Sequence, residues 1–339
     1  MRKRLLAMLL TGAMVFSLTA CGGSTDGTAA EGGTAAEGGA QSAEGGSTGG
    51  ETVKVGFVVK SLSDQFYVLM KAGAEAEAKK MGNVELKFIA PNSESDVQGQ
   101  VDMIQNLVGQ KMDAICVAPS SQDAVLPVLQ QADDAGIKIL AVDTDSVFEK
   151  KLTFIGTGNT PAAKLGGEYV CSQFPAGSKA VILRGRLGDT NHDERQAGWE
   201  EALKAGGIEI LEVQAADSQA EKALNVTQDL LAKYGDIDVI CTTADSMAQG
   251  AQSAVDAAGA KTKVMGFDGT IPVAEGTAEG TYMGTVAQDP YNMGVVGVQE
   301  AVKAAQGETI ENRIDTGAIV VTKDTAADFV ADIKSKVGE

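Results

Sequence analysis

The sequence predicts an α/β protein built as two similar, doubly wound, parallel-sheet lobes. Three observations carry this. Short, predominantly apolar runs alternate with amphipathic stretches from residue 53 onward, and landmark residues recur at one constant interval. The length of 339 residues fits about two domains at roughly 150 residues each.

The runs come in order. Val53 to Val59 is followed by a helical pattern from Gln65 to Met81, then Val84 to Ala90 by Val97 to Gly109, Ala114 to Val117 by Ala124 to Ala135, and finally Ile137 to Val142. Such predominantly apolar runs read as strands buried on both faces, and the amphipathic stretches between them as crossover helices. Val97, Val101, Ile104 and Leu107 recur at helical spacing, and Gly82 and Gly136 stand where helix C-caps belong. These are core positions, and no cofactor is needed to explain them.

The chain then repeats itself. Gly73 and Gly198, Gly82 and Gly207, Asp113 and Asp238, Cys116 and Cys241, and Asp143 and Asp268 share one offset, as in 268 − 143 = 125. Segments 55–143 and 180–268 therefore read as two copies of one α/β unit, with no gap needed. Ligands of open parallel sheets bind beyond the carboxyl ends of the strands. Two such lobes facing each other place Asp143 and Asp268, each directly after an apolar strand, in a shared cleft. The competing reading makes each a turn-capping aspartate; the pair at equivalent strand ends favours a cleft.

Charge and composition exclude several classes. With 46 acidic against 28 basic residues the net charge is −18, and no basic stripe offers the counter-charge that nucleic-acid phosphates require. Four cysteines in a chain of this length set no disulfide framework. Arg2, Lys3 and Arg4 precede an apolar run that ends in Leu18-Thr19-Ala20-Cys21-Gly22. This is a secretory signal too short for a comfortable membrane span, and its end resembles the lipobox of bacterial lipoproteins, in which the cysteine is lipidated. Residues 1–20 read as the lipoprotein signal peptide and 21–51 as lipidated Cys21 with a flexible Gly-rich tether. A coil of that length reaches roughly 30 Å root-mean-square.

Val58-Val59-Lys60-Ser61-Leu62-Ser63-Asp64-Gln65-Phe66-Tyr67 opens a series that continues through Ala118-Pro119-Ser120-Ser121, Asp123, Asp143, the Asp193 to Gly198 stretch with Arg195, Ala244-Asp245-Ser246-Met247-Ala248, Gly266-Phe267-Asp268-Gly269 and Ala287-Gln288. In this order the residues resemble the sugar-binding class of type I periplasmic binding proteins, the ribose-, allose- and galactose-type receptors that feed ABC transporters. Lys60 is most like the allose type. The resemblance implies lobes of 52–155 plus 289–316 and of 156–288 plus 317–339, joined by a three-strand hinge. Gly156-Thr157-Gly158, with Pro161 starting a helix, is the first crossing; the others lie near Ala287 to Asp289 and Thr316 to Ala318. A dinucleotide loop is the weaker reading of Gly-x-Gly there, because Pro161 occupies the start of the helix that would hold phosphate.

The resemblance also implies a monosaccharide or polyol ligand, an ABC permease partner, a monomer and no cofactor, metal or catalysis. Monosaccharides present apolar C–H faces and a rim of hydroxyls, so a receptor needs flat aromatics and planar acceptors and donors. Phe66 and Tyr67 supply the flat surface, although one of them reads equally as core. Asp64, Asp143 and Asp268 accept; Lys60, Arg195 and Gln288 donate. Asp193 and Thr144 replace charged family residues and complete the candidate set. Arg195 reads alternatively as a surface partner of Glu194 or Glu200. Two family asparagines appear as Ala118 and Ala244, and an aromatic wall appears as Ser218, which implies a roomier, more acidic pocket. The alternatives are a sensor that captures a sugar or a furanose-like signal and passes its closed state to a chemotaxis or kinase partner, and an exported sugar-active enzyme. The single histidine, His192, has no nucleophile motif around it, so a Ser-His-Asp or Cys-His hydrolase is hard to assemble.

Overall fold

A computed structural model describes residues 51–337. The signal segment, Cys21 and the tether as far as residue 50 lie outside the described residues. The first sheet contains β1 (Val53–Val58), β2 (Val84–Ile89), β3 (Ala114–Val117), β4 (Lys138–Val142), β5 (Thr153–Gly156) and β11 (Arg313–Asp315), in the order β11-β5-β4-β3-β1-β2. The second contains β6 (Lys179–Arg184), β7 (Glu209–Ala215), β8 (Val239–Thr242), β9 (Lys263–Asp268), β10 (Gly284–Gln288) and β12 (Ala318–Thr322), in the order β12-β10-β9-β8-β6-β7. The two orders correspond strand for strand. Pairing is parallel throughout except at β12, which runs antiparallel to β10.

Helices α1 (Gln65–Met81), α2 (Val97–Gly109), α3 (Gln122–Asp134) and α9 (Pro290–Ala305) cover the first sheet, while α4 (Asn159–Gln173), α5 (Thr190–Ala205), α6 (Ala220–Tyr234), α7 (Asp245–Ala258), α8 (Ile271–Glu279) and α10 (Ala326–Val337) surround the second. Each sheet thus has a core on both faces. Phe57, Met70, Leu140 and Met293 share one core of the first lobe, and Ile104, Ile115, Leu129 and Ile139 the other. Trp199, Ile182 and Phe267 fill the matching space in the second lobe, with Val181, Ile240 and Met247 across the sheet. The runs over β1, β3 and β4 are strands sandwiched in this way, whereas β2, in which Glu85 and Lys87 alternate with apolar residues, is a half-buried edge strand.

The repeated landmarks have repeated tasks. Asp113 accepts the Lys54 N–H at 2.7 Å, and Asp238, 125 positions on, accepts the Lys179 N–H at 2.7 Å. Gly82 and Gly207 both have φ +75° at helix ends, a conformation that favours glycine. Gly73 and Gly198 let helices touch: a Cβ on Gly73 would sit 2.0 Å from the Tyr291 carbonyl oxygen, and one on Gly198 2.4 Å from that of Thr160. Those neighbours are backbone and cannot yield without moving a helix. Gly73→Ala is therefore expected to lower stability by about 2–3 kcal/mol, in the overpacking range, by urea titration; an unchanged midpoint would show that α1 and α9 are not in contact.

Three crossings join the lobes. Gly156 to Gly158 links β5 to α4, Gln288 and Asp289 link β10 to α9, and Thr316 and Gly317 link β11 to β12. The first and third are tied together: Thr316 N–H donates to the Gly156 carbonyl at 3.1 Å, and the Gly158 N–H donates to Asp315 at 3.2 Å.

Candidate functional site

The carboxyl ends of β1 and β4 in one sheet, and of β6, β8, β9 and β10 in the other, meet across the space between the lobes. Asp143 follows β4 with φ +59°, and Asp268 ends β9 with φ +127°. The Asp143 value lies in the left-handed region, which aspartate visits more readily than most residues with a Cβ, and the Asp268 value lies beyond it; such outliers persist where surrounding structure enforces them, commonly at ligand sites. Both side chains line one cavity of about 50 Å³, together with Lys60, Phe66, Arg195 and Gln288. It opens onto a larger cavity of about 610 Å³ and shares with it Asp64, Tyr67, Glu94, Ser218, Ser246 and Asp268.

On the first-lobe side, Asp64 caps α1 by accepting the Phe66 N–H at 2.9 Å. That cap turns Phe66 and Tyr67 inward, edge to face with ring centroids 5.2 Å apart. Both belong to the core and both reach the cavity. The Tyr67 hydroxyl donates to Asp143 at 2.9 Å, and the Thr144 hydroxyl donates to the same carboxylate oxygen at 2.8 Å. Burial, then the Asp143 charge, pushes the Tyr67 hydroxyl well above its ordinary value. Burial likewise raises the Asp64 carboxyl.

On the second-lobe side, Arg195 Nη1 donates to Asp268 at 3.1 Å and to the Thr243 carbonyl at 3.0 Å, and its Nε donates to Asn159 at 2.8 Å. Its guanidinium lies 4.2 Å over the Phe267 ring. The surface pairing with Glu194 or Glu200 is not what Arg195 makes; it is buried at 4% exposure. Gln288 donates to Asp268 at 2.8 Å. Behind these sits Asp245, fully buried, accepting from Thr285 at 2.8 Å and from the Thr270 N–H at 2.7 Å. Burial raises both carboxyls; at Asp268 the Arg195 charge opposes the rise and the Asp245 charge adds to it.

The lobes touch across the cleft. Lys60 Nζ donates to Asp189 at 3.0 Å and stands 3.7 Å from Glu94. Asp189 also caps α5, accepting the Asn191 N–H at 3.0 Å. Burial alone would lift its carboxyl, but Lys60, His192 and Arg195 outweigh burial and hold it well below the usual carboxylate range. Lys60, despite its own burial, is held above the usual lysine range by Asp189, Glu94 and Asp143. Asn191 donates to the Asp143 carbonyl at 3.4 Å and to Thr144 at 3.1 Å, and Arg186 donates to the Ser120 carbonyl at 2.7 Å.

Nine of the ten residues singled out from sequence thus converge: Lys60, Asp64, Phe66, Tyr67, Asp143, Thr144, Arg195, Asp268 and Gln288. Asp193 is the correction. It pairs with Arg184 and its side chain is half exposed, away from this cluster. Because α5 starts at Thr190, the positions facing the cleft are Asn191, His192 and Arg195, and at about 100° per residue Asp193 turns elsewhere. Asp189, Glu94, Asn191 and Thr243 are participants that the sequence reading did not single out as site residues. Asp189 was detectable only as an N-cap signal, and Glu94 lies in a loop without periodicity.

His192 Nδ1 is 2.8 Å from the Thr243 hydroxyl, and its Nε2 is 3.0 Å from that of Ser218. Burial pushes its pKa down to about 3, Asp189 opposing and nearby cations assisting. The unfolded imidazole takes up a proton below about 6.5; the folded one does so only near 3. Its contribution is therefore complete above the unfolded value and is lost as pH falls through this window, by at most about 1.4 kcal/mol per pH unit. His192→Gln is expected to flatten the fall in stability between pH 6 and pH 4. Parallel curves for the two proteins would contradict a buried neutral imidazole.

Residues 55–309 match the family described as the periplasmic binding protein domain. The chain is 31% identical over 274 residues to the D-ribose/D-allose-binding protein of Pseudomonas aeruginosa, covering 78% of this chain and 86% of that one. It is 34% identical over 262 residues to the D-allose-binding periplasmic protein of Escherichia coli, covering 73% and 83%. A solved ABC transporter periplasmic solute binding protein from Actinobacillus succinogenes, with bound D-allose, superposes with a TM-score of 0.76 at 27% identity, covering 82% of this chain and 100% of that one. Two matching parallel-sheet lobes with strand ends gathered around one cleft define a bilobal ligand receptor. The chain belongs to the periplasmic binding protein family, in its type I sugar-binding class.

Proposed function

We propose that this protein is the substrate-binding lipoprotein of an ABC importer, capturing a neutral monosaccharide or related polyol between lobes 52–155 plus 289–316 and 156–288 plus 317–339. The observation that carries this is the convergence of Asp64, Asp143, Asp268, Lys60, Arg195 and Gln288, acceptors and donors from both lobes, beside the Phe66 and Tyr67 rings in one interlobe cavity. Hydroxyls of a polyol satisfy such carboxylates with hydrogen bonds worth about 1.5–3 kcal/mol each. Several of them with one aromatic face supply the roughly −8 kcal/mol of a micromolar complex after entropy losses.

Binding is reversible and no bond is made or broken. The ligand holds the lobes together, and the closed face is what a permease in the same membrane reads. Lipidation at Cys21 would anchor the exported monomer to the outer face of the cell membrane, with residues 22–50 as spacer.

A thermal-shift screen of pentoses, hexoses, deoxy sugars and inositols tests the reading. A true ligand at 100 times its dissociation constant adds about 2.7 kcal/mol of stability. No stabilisation by any of them, or turnover of a glycoside, would overturn it.

A further inference from the structure

Two bridges between the lobes belong to the wall of the larger cavity, that of about 610 Å³. The Ile271 N–H of the second lobe donates to the Gln65 side chain of the first at 3.1 Å, and Arg186 of the second donates to the Ser120 carbonyl of the first at 2.7 Å. Gln65 and Arg186 both line the cavity, so this space is kept while the lobes are in contact. The inner cavity of about 50 Å³ is different, with room for about four water-sized groups. One sugar ring with its hydroxyls exceeds that. A sugar held by Asp143 and Asp268 therefore already emerges past the residues common to both cavities, Tyr67, Glu94 and Ser218 among them. The space ahead of it is much larger than its own remainder.

We propose that this outer cavity is a second subsite and that the ligand is a neutral disaccharide, its first ring at Asp143 and Asp268 and its second in the outer cavity. The inference rests on the reading of the cleft as a sugar site and extends it from one ring to two. A volume of about 610 Å³ lies within the range of small-molecule pockets. The wall selects among possible extensions of the first ring. Tyr67 and Pro272 are its only apolar members, so an alkyl or aryl group would leave the surrounding hydroxyls, amides and acids without partners. An anionic extension would face Asp64, Glu94, Asp217 and Asp268 with Arg186 as the one basic residue of the wall. A cationic one is not called for, because Glu94 faces Lys60, Asp217 pairs with Lys222 and Asp268 with Arg195. A neutral, hydroxylated ring suits what is left. The carboxamides of Gln219 and Gln249 line the cavity and have no hydrogen-bond partner among the described residues. Each offers both a donor and an acceptor to sugar hydroxyls.

The test is calorimetric titration of glucose and galactose, and of maltose, isomaltose, cellobiose, lactose and melibiose built from them, into the protein and into Ser95→Trp and Gln249→Ala. Ser95 is exposed, and it lines the outer cavity but not the inner one, so a tryptophan there occupies the second subsite alone. The proposal expects at least one disaccharide to bind about tenfold more tightly than either of its component sugars. Ser95→Trp should weaken that disaccharide about tenfold and Gln249→Ala about fivefold, the effect of one uncharged hydrogen bond. Binding of the single sugars should stay within about twofold in both variants. Sugar binding, here or in the thermal-shift screen, that no disaccharide exceeds, or disaccharide binding that both variants leave unaltered, would overturn the two-ring ligand and leave sugar capture standing. No binding by any sugar in either experiment would instead remove the sugar reading itself, and the second subsite with it.

Discussion

Asp268→Ala is expected to weaken binding of the cleft ligand at least about tenfold, or ~1.4 kcal/mol, and to lower stability as well. The two losses have different causes. The first is the removal of a carboxylate that faces the cavity from the end of β9. The second is that Arg195, itself buried, loses its only carboxylate partner among the described residues. Breaking a buried pair on one side costs about 3–5 kcal/mol, and the lower figure applies because Arg195 keeps Asn159 and the Thr243 carbonyl. Asp143→Ala separates these effects. Its partners are the neutral hydroxyls of Tyr67 and Thr144, so its binding loss should be similar and its stability loss smaller. Isothermal titration with the sugar found by screening, beside urea unfolding of each variant, reads both quantities. Normal affinity in both variants would show that the cleft assignment is wrong.

Asp189→Ala is expected to act on closure more than on folding. Lys60 belongs to the first lobe and Asp189 to the second, and they meet at 3.0 Å only because the lobes stand face to face. When the lobes part, Lys60 reaches water, so the unliganded open form loses mainly the α5 cap, about 1 kcal/mol. In the closed form the variant leaves a buried ammonium with only Glu94 at 3.7 Å and the Asp143 charge nearby, a costly condition. Affinity should fall about tenfold, almost all of it through faster release, and stopped-flow measurement of release checks this. An unchanged release rate would mean that the pair does not hold the lobes together.

Much of this was legible because the relevant signals are local or periodic. The helix Gln65–Met81 is legible from its terminating Gly82, and Val97–Gly109 from the apolar stripe Val97, Val101, Ile104 and Leu107, both short-range features. The duplicated unit was legible because its landmarks are glycines and aspartates with strict backbone duties: Gly73 and Gly198 admit a neighbouring helix, and Asp113 and Asp238 each accept a strand N–H. Asp143 and Asp268 follow from that repeat. What escaped depends on contacts between the copies. Asp189 pairs with Lys60 across 129 positions of sequence, and nothing in the loop before α5 announces it. Asp193 comes from the family resemblance, which carries no helix phase: α5 starts at Thr190, which turns Asn191, His192 and Arg195 toward the cleft and Asp193 toward Arg184. The antiparallel direction of β12 was likewise not visible, since an edge strand of five residues has the same composition in either direction.

The central claim is that equivalent aspartates at the strand ends of two duplicated lobes close on one hydroxyl-rich guest. A crystal structure of the protein with the strongest stabiliser from the sugar screen tests it most directly. The account predicts the sugar between the lobes, with one hydroxyl against Asp143, another against Asp268, and a ring face on Phe66 or Tyr67. A sugar bound to one lobe alone, or anywhere that leaves both carboxylates without it, would contradict the account.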